Sequence, residues 1–160
     1  MIREVSGDIL FSGAQAIAHG VAPNDHFASG LALALRERWP AMYKDFRHYC
    51  QNHHVEPGDL WAWAGAGGVR IVALFTQEAA RHEHAHPGRA QPAYVNHALR
   101  ALHALALEES FTSLALPRLA TGVGGLDWAE VRPLVDHHLG SLEAPVYVYG
   151  TYHPGVKAAE

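Results

Sequence analysis

The stretch from Leu116 to Val131, LPRLATGVGGLDWAEV, passes from apolar residues through Gly122, Gly124 and Gly125 into a segment with helical spacing. Glycines at such a joint serve a tight turn, or they permit the positive φ and close backbone approach with which amides cradle a phosphate. In the second case the amides of Thr121, Gly122, Val123, Gly124 and Gly125 would hold the anion. No lysine completes a P-loop here. Asp127 and Glu130 have the spacing of a capping box, which would occupy the helix terminus and leave the helix dipole a secondary part of about 0.3 to 1 kcal/mol. On this loop alone the turn and the phosphate cradle remain alternatives.

Other side chains with chemistry are scattered. His19 ends the apolar stretch AQAIAH, where an imidazole either titrates as acid or base or is simply hydrogen-bonded at a strand end. Asp25 and His26 are an acid and base pair in a loop, and Glu78, beside Gln77, becomes a base if it is desolvated. His82, His84 and His86 alternate and would share a face on an extended segment, as zinc ligands do. Their spacing matches no standard zinc pattern, so the expectation is a polar loop with no metal. Cys50 reads as a small buried hydrophobe on a helix away from the loops.

These residues need a frame. Short β-compatible segments at 1–5 and 14–19 precede a helix over 30–39, in which Leu31, Leu35 and Trp39 recur every four residues. Pro40 then opens a second helix ending near Asn52. Residues 60–64 and 69–75 form a hairpin across AGAGG, 77–90 form a long loop, and 91–108 carry helical spacing again. A strand over 112–116, a helix over 127–139 with Pro133 predicting a kink, and a strand over 145–150 complete the order. Interleaved strands and helices imply an α/β layered domain with a partly parallel sheet, whose ligands bind in loops at the carboxyl ends of strands. The loops so indicated follow the first strands and span 20–30, 76–90 and 119–126. Trp61 and Trp63 share a face and serve packing, as does Trp128 at a helix start.

Composition narrows the function. The chain has 160 residues, 49% hydrophobic and 18% charged, enough for one domain with a sizeable core. A formal charge of -4 without a basic run argues against strong non-specific nucleic-acid binding. A lone cysteine, no signal-like start and no apolar run of about 18 residues lead to the expectation of a cytoplasmic protein with no membrane contact.

Taken in order, the motifs resemble the macrodomain family, an ADP-ribose-binding α/β/α fold. Val5-Ser-Gly-Asp-Ile-Leu10 is similar to its entry motif, which implies that Asp8 meets the adenine amino group and the Ile9 amide meets the ring. Ala16-Ile-Ala-His-Gly-Val21 with Ala28-Ser-Gly-Leu-Ala32 resembles the first ligand loop of one branch. That branch includes terminal ADP-ribose glycohydrolases, DNA ADP-ribosyl glycohydrolase antitoxins and yeast-type ADP-ribose 1″-phosphate phosphatase. The resemblance implies that Asn24, Ser29, Gly30 and Leu31 wrap the distal ribose and diphosphate. LPRLATGVGGLDW resembles the branch's diphosphate loop, and VYVY resembles its last strand, whose tyrosine, Tyr149, lies by the riboses; Phe27 is a second candidate there.

The chain departs from that pattern where the glycohydrolases place their catalytic pair. Gln77 stands for the lysine and Gly124 for the aspartate, while Lys44 and Lys157 lie on a helix and in the tail. Gln77 is left to hydrogen-bond the distal ribose. His19 stands where the phosphatase-like member has a histidine. The resulting expectation is a three-layer α/β/α macrodomain over residues 1–152, with a central mixed, mostly parallel sheet and a tail at 153–160. It binds ADP-ribose or an ADP-ribosylated macromolecule as a monomer, without a cofactor, and hydrolyses an ADP-ribosyl adduct at the distal ribose through Asp25, His19 or Glu78. A non-catalytic reader and an ADP-ribose 1″-phosphate phosphatase are the alternatives.

Overall fold

The computed structural model describes residues 1–82 and 85–160. Six strands form one sheet: β1 (Ile2–Gly7), β2 (Ala16–Val21), β3 (Leu60–Ala64), β4 (Arg70–Phe75), β5 (Leu114–Pro117) and β6 (Val146–Tyr152). Their order across it is β1-β6-β5-β2-β4-β3. Every neighbouring pair is parallel except β3 with β4, the hairpin expected from the sequence. The helices are α1 (Gly30–Arg38), α2 (Pro40–Asn52), α3 (Pro92–Glu108) and α4 (Trp128–Leu139).

Alternation along the strands divides the core into two layers. On β2 and β4, Ala16, Ala18, Val72 and Leu74 join the cluster that contains Val95, Leu99 and Leu102 of α3 and Val131, Val135 and Leu139 of α4. Ile17, Val21, Ile71, Ala73 and Phe75 join the opposite cluster with Leu35 of α1 and Met42, Phe46 and Cys50 of α2. The four-residue spacing of Met42, Phe46 and Cys50, and of Val131, Val135 and Leu139, puts each set on one stripe of its helix. The fold is therefore the three-layer α/β/α arrangement with a mixed, mostly parallel sheet. Trp61 packs on Phe46 and Tyr49, and the Trp63 indole N–H donates to Asp45 at 2.9 Å, so both serve the β3–α2 contact.

Some expectations need correction. The capping box does not form: Asp127 is the N-cap residue of α4, but its side chain makes no cap bond, and its carbonyl accepts from the amides of Glu130 and Val131. α4 runs through Pro133, which lies on the exposed side where the missing donor faces water. Phe27 is 0% exposed, packed against Tyr43 and Phe46, and so cannot flank a ribose. Cys50 is buried as expected but not remote from the loops. It lies against the Asn24 backbone and near Asp25, and burial pushes its thiol up.

Parallel pairing brings the carboxyl ends of β1, β6, β5, β2 and β4 to one edge. The segments that follow those strands meet there, and the site is built from them.

Candidate functional site

A cavity of about 710 Å³ opens at this edge, above the ends of β2, β4 and β5. His19 lies at its floor. Its side chain belongs to the α1/α2 side of the sheet, with its ring edge-on to Phe27 at 5.5 Å, and the residue is 2% exposed. Burial lowers its pKa to about 4, so the imidazole is neutral at physiological pH. Among the described residues its Nε2 has no hydrogen-bond partner, and neither has Thr76 Oγ1. The two sit on opposite faces: Gly20, the residue after His19 on β2, faces the other layer, and a Cβ built on it would stand 2.6 Å from the Thr76 hydroxyl. Buried polar atoms without partners are uncommon, and of these two residues only His19 lines the cavity.

The first wall is the segment 22–31. Asp25 staples it, Oδ2 accepting from the Ala22 amide at 3.0 Å and Oδ1 from the Phe27 amide at 2.8 Å. Phe27, held at a φ of 51°, drives its ring into the core and anchors the loop there. From outside, the Arg36 guanidinium donates to the His26 carbonyl at 3.0 Å and Arg47 donates to that of Asn24. The chain then turns into α1 at Ser29, Gly30 and Leu31, which line the cavity. Among the described residues no side chain caps this helix start, and its first turn holds no acidic residue, which leaves its first amides without protein partners.

The second wall is 117–124. The Thr121 hydroxyl donates to the Arg118 carbonyl at 2.8 Å, the Gly125 amide to Gly122, and the Leu126 amide to Ala120. Among the described residues the amides of Gly122, Val123 and Gly124 meet no protein acceptor, and all three residues line the cavity. Gly124 has no room for a side chain: a Cβ would lie 2.7 Å from the Ala120 carbonyl and 2.9 Å from Ala90 Cβ. Arg118 lies on the same wall, 5.5 Å over the Trp128 ring.

The structure thus brings His19, Asn24, Asp25, Ser29, Gly30, Leu31, Gln77, Gly122, Val123 and Gly124 together around one cavity. Thr121 and Gly125 frame the glycine loop without lining it. Gln77 is 6% exposed and its amide nitrogen donates to the Gly88 carbonyl at 3.0 Å, closing the loop that follows β4. Glu78 points elsewhere. Its carboxylate is exposed, accepts from Gln91 and Tyr94, and belongs to a separate recess. Asp8, Ile9 and Tyr149 do not reach the cavity. Asp8 accepts from the amides of Leu10 and Gly155, and the Tyr149 hydroxyl donates to Glu160 at 2.6 Å; burial and that carboxylate raise the tyrosine's pKa. His82 is exposed, His86 lines the cavity, and His84 lies outside the described residues. Sequence reasoning missed the roles of Arg36, Arg47 and Arg118. The first two act through backbone carbonyls 10 and 23 residues away, a relation with no local signal, whereas Arg118 stood inside the glycine-loop motif itself.

Comparison with known proteins agrees with this geometry. A family model described as "Macro domain" matches residues 19–135. A DNA ADP-ribosyl glycohydrolase of Thermus aquaticus is 29% identical over 150 residues, covering 93% of this chain and 41% of the relative. The chain therefore spans about two fifths of the length of the curated relatives it matches first. Among solved structures, the macrodomain of Thermus aquaticus DarG superposes with a TM-score of 0.81 at 27% identity, over 94% of this chain and 98% of that one. Thermosipho africanus DarTG in complex with ADP-ribose superposes with a TM-score of 0.80 at 24% identity, over 98% of this chain and 42% of that one.

Proposed function

The chain belongs to the macrodomain family, and from that premise we propose that its cleft binds an ADP-ribosyl group, the diphosphate lying between the start of α1 and the glycine loop. The observation that carries this reading is the pair of amide sets, one in each wall of the same cavity, which have no protein partners among the described residues. Backbone dipoles suit a diphosphate in a protein of net negative charge, because they supply positive potential without lysines. The distal ribose then rests over His19 and beneath Gln77.

A second reading, hydrolytic release of the ADP-ribosyl group from a carrier, is favoured by the floor of the cleft and by the similarity to the Thermus aquaticus DNA ADP-ribosyl glycohydrolase. Of the three candidate acid and base groups, only His19 offers the cavity a free atom. Asp25 spends both oxygens on its own loop and Glu78 faces another recess. A neutral imidazole with a pKa of about 4 is a weak base. A bound diphosphate changes that, since a nearby negative charge favours the protonated form and raises the pKa. In this scheme His19 Nε2 takes a proton from a water that attacks the anomeric carbon, the bond to the carrier breaks, and the carrier leaves with the electron pair. The Gln77 and Gly124 positions supply neither an amine nucleophile nor a carboxylate to this step.

Calorimetric titration with ADP-ribose tests the binding reading: saturable binding that is lost when Gly122 carries a bulky residue supports it, and no binding refutes it. Incubation with ADP-ribosylated DNA, ADP-ribosylated protein and ADP-ribose 1″-phosphate tests the second. Release from one of them that falls in His19→Gln supports hydrolysis; no release from any leaves a reader.

A further inference from the structure

Residues 153–160 are not a loose tail. The His153 amide donates to the Gly7 carbonyl at 3.2 Å, the Asp8 amide to the Val156 carbonyl at 2.7 Å, and the Gly155 amide to Asp8 Oδ2 at 3.0 Å. Glu160 closes the segment, accepting from Ser12 Oγ at 2.5 Å, the Gly13 amide at 2.9 Å and the Tyr149 hydroxyl at 2.6 Å. Gly7 makes the fit possible: a Cβ there would stand 2.8 Å from the Val156 carbonyl and 2.9 Å from the Ala158 amide.

The position of this segment matters for the ligand. The open cavity lies over the ends of β4, β2 and β5, a span of roughly 10 Å at the usual strand spacing. That length suits one ribose with a diphosphate. The adenosine of ADP-ribose must continue along the same edge, and only one direction is available. Beyond β4 lies β3, which is antiparallel and ends at the opposite edge, whereas β6 and β1 extend the row of carboxyl ends past Arg118 and Gly150. Residues 153–160 cover that half, with the Asp8 carboxylate and Tyr149 hydroxyl beneath them.

We infer that the 153–160 segment is a releasable cover over the adenosine half of the cleft, and that it sets whether the site takes a ribose phosphate alone or a complete ADP-ribosyl group. This rests on the ADP-ribose reading of the cleft. The segment is suited to release because it buries little: Ala158 is its only buried hydrophobic residue and Val156 is 50% exposed. The polar atoms it covers are those that release would offer to adenine, a paired carboxylate acceptor and a phenol.

The test uses the full chain and two variants outside the cavity walls, Glu160→Ala, which removes three closing bonds, and Ala158→Glu, which places a carboxylate at a buried position. Binding of ADP-ribose and of ribose 5-phosphate is measured for each by calorimetry, with hydrogen exchange of residues 153–160 in the wild type. If the covered form holds about 90% of the molecules, its apparent Kd for ADP-ribose is about tenfold higher than that of the released form. Both variants are therefore expected to bind ADP-ribose about tenfold more tightly, with ribose 5-phosphate within about twofold of wild type. In the wild type, ADP-ribose and not ribose 5-phosphate should speed exchange at the amides of His153 and Gly155. Equal or weaker ADP-ribose binding by both variants, with greater protection of the segment on binding, overturns the inference and makes the segment a wall of the adenosine site. No ADP-ribose binding by the wild type or either variant is a different result, which removes the functional reading itself and this inference with it.

Discussion

His19 gives the protein a stability that falls with acid, and its size follows from its burial. The imidazole titrates at the ordinary 6.5 when unfolded and at about 4 when folded, because the closed sheet edge disfavours its charged form. Between those values the unfolded chain takes up a proton that the folded chain refuses, so stability is lost as pH falls from 6.5 towards 4 and is unaffected above 7. The full window of 2.5 units corresponds to on the order of 3 kcal/mol, and the step from pH 7 to pH 5 alone to about 2 kcal/mol. Urea denaturation at pH 7, 6 and 5 should show this decline in the wild type, and His19→Gln, which cannot take up the proton, should lose about 2 kcal/mol less over the same range. His138 is also shifted down, chiefly by burial, but it is present in both proteins and cancels in the difference. The same group reports the ligand. A diphosphate bound between the cavity walls, near this floor, should raise the His19 pKa and make ADP-ribose binding take up protons near pH 5, visible as a buffer-dependent binding enthalpy. Parallel pH profiles for wild type and His19→Gln would refute the burial argument, and a His19 pKa unmoved by ADP-ribose would refute its coupling to the phosphates.

Other outcomes follow from the walls. Gly124→Asp should destabilise the fold by about 1 to 3 kcal/mol in thermal or urea unfolding, because its Cβ meets Ala120 and Ala90, and it should not install activity. Gly122→Ala, where nothing lies within 4 Å of the added Cβ, should leave stability within about 0.5 kcal/mol. Asp25→Ala frees two amides and should cost about 1 to 3 kcal/mol of stability while weakening ADP-ribose binding, read by unfolding and calorimetry on the same preparation. Arg118→Ala should weaken ADP-ribose binding by about 1 kcal/mol and flatten its salt dependence, since this exposed guanidinium lines the glycine-loop wall.

The fold was legible because its signals are local. Met42, Phe46 and Cys50 recur at helical spacing, β2 and β4 are short apolar runs, and AGAGG separates two strand-like segments, so the layers could be written down before any contact was known. The glycine loop and the start of α1 were legible for a related reason: backbone that turns tightly or lies open to close approach uses glycine, and glycine is visible in the sequence. What stayed hidden was how side chains are spent. Asp25 and Glu78 look alike as carboxylates in loops, yet one staples its own loop and the other is held by α3 residues outside the cavity. The 153–160 segment carries no periodicity, and its bonds to Asp8 and Ser12 span almost the whole chain. Such pairings are products of the assembled sheet, and nothing in the flanking residues announces them.

The two departures from the glycohydrolase pattern, Gln77 and Gly124, turn out to be parts of one structure. Gln77 pairs with Ala90 in an isolated antiparallel bridge and holds the Gly88 carbonyl, so it closes the base of the loop that follows β4. Ala90 in turn donates its amide to the Gly124 carbonyl at 3.0 Å and sets its methyl where a Cβ at 124 would lie. A lysine at 77 would give up the bond to Gly88, and an aspartate at 124 would push Ala90 away from that same bridge. Neither change is independent of the other, because Ala90 joins them. The position that could carry a nucleophile and the position that could carry a carboxylate have together become a brace between the loop after β4 and the glycine loop after β5. That brace holds the loop whose Gly122, Val123 and Gly124 line the cavity, and it leaves neither position with the side chain of a lysine-dependent reaction. On the proposed reading, hydrolysis in this cleft would proceed through water and His19, with the ligand's own phosphates supplying the charge that raises the imidazole's basicity.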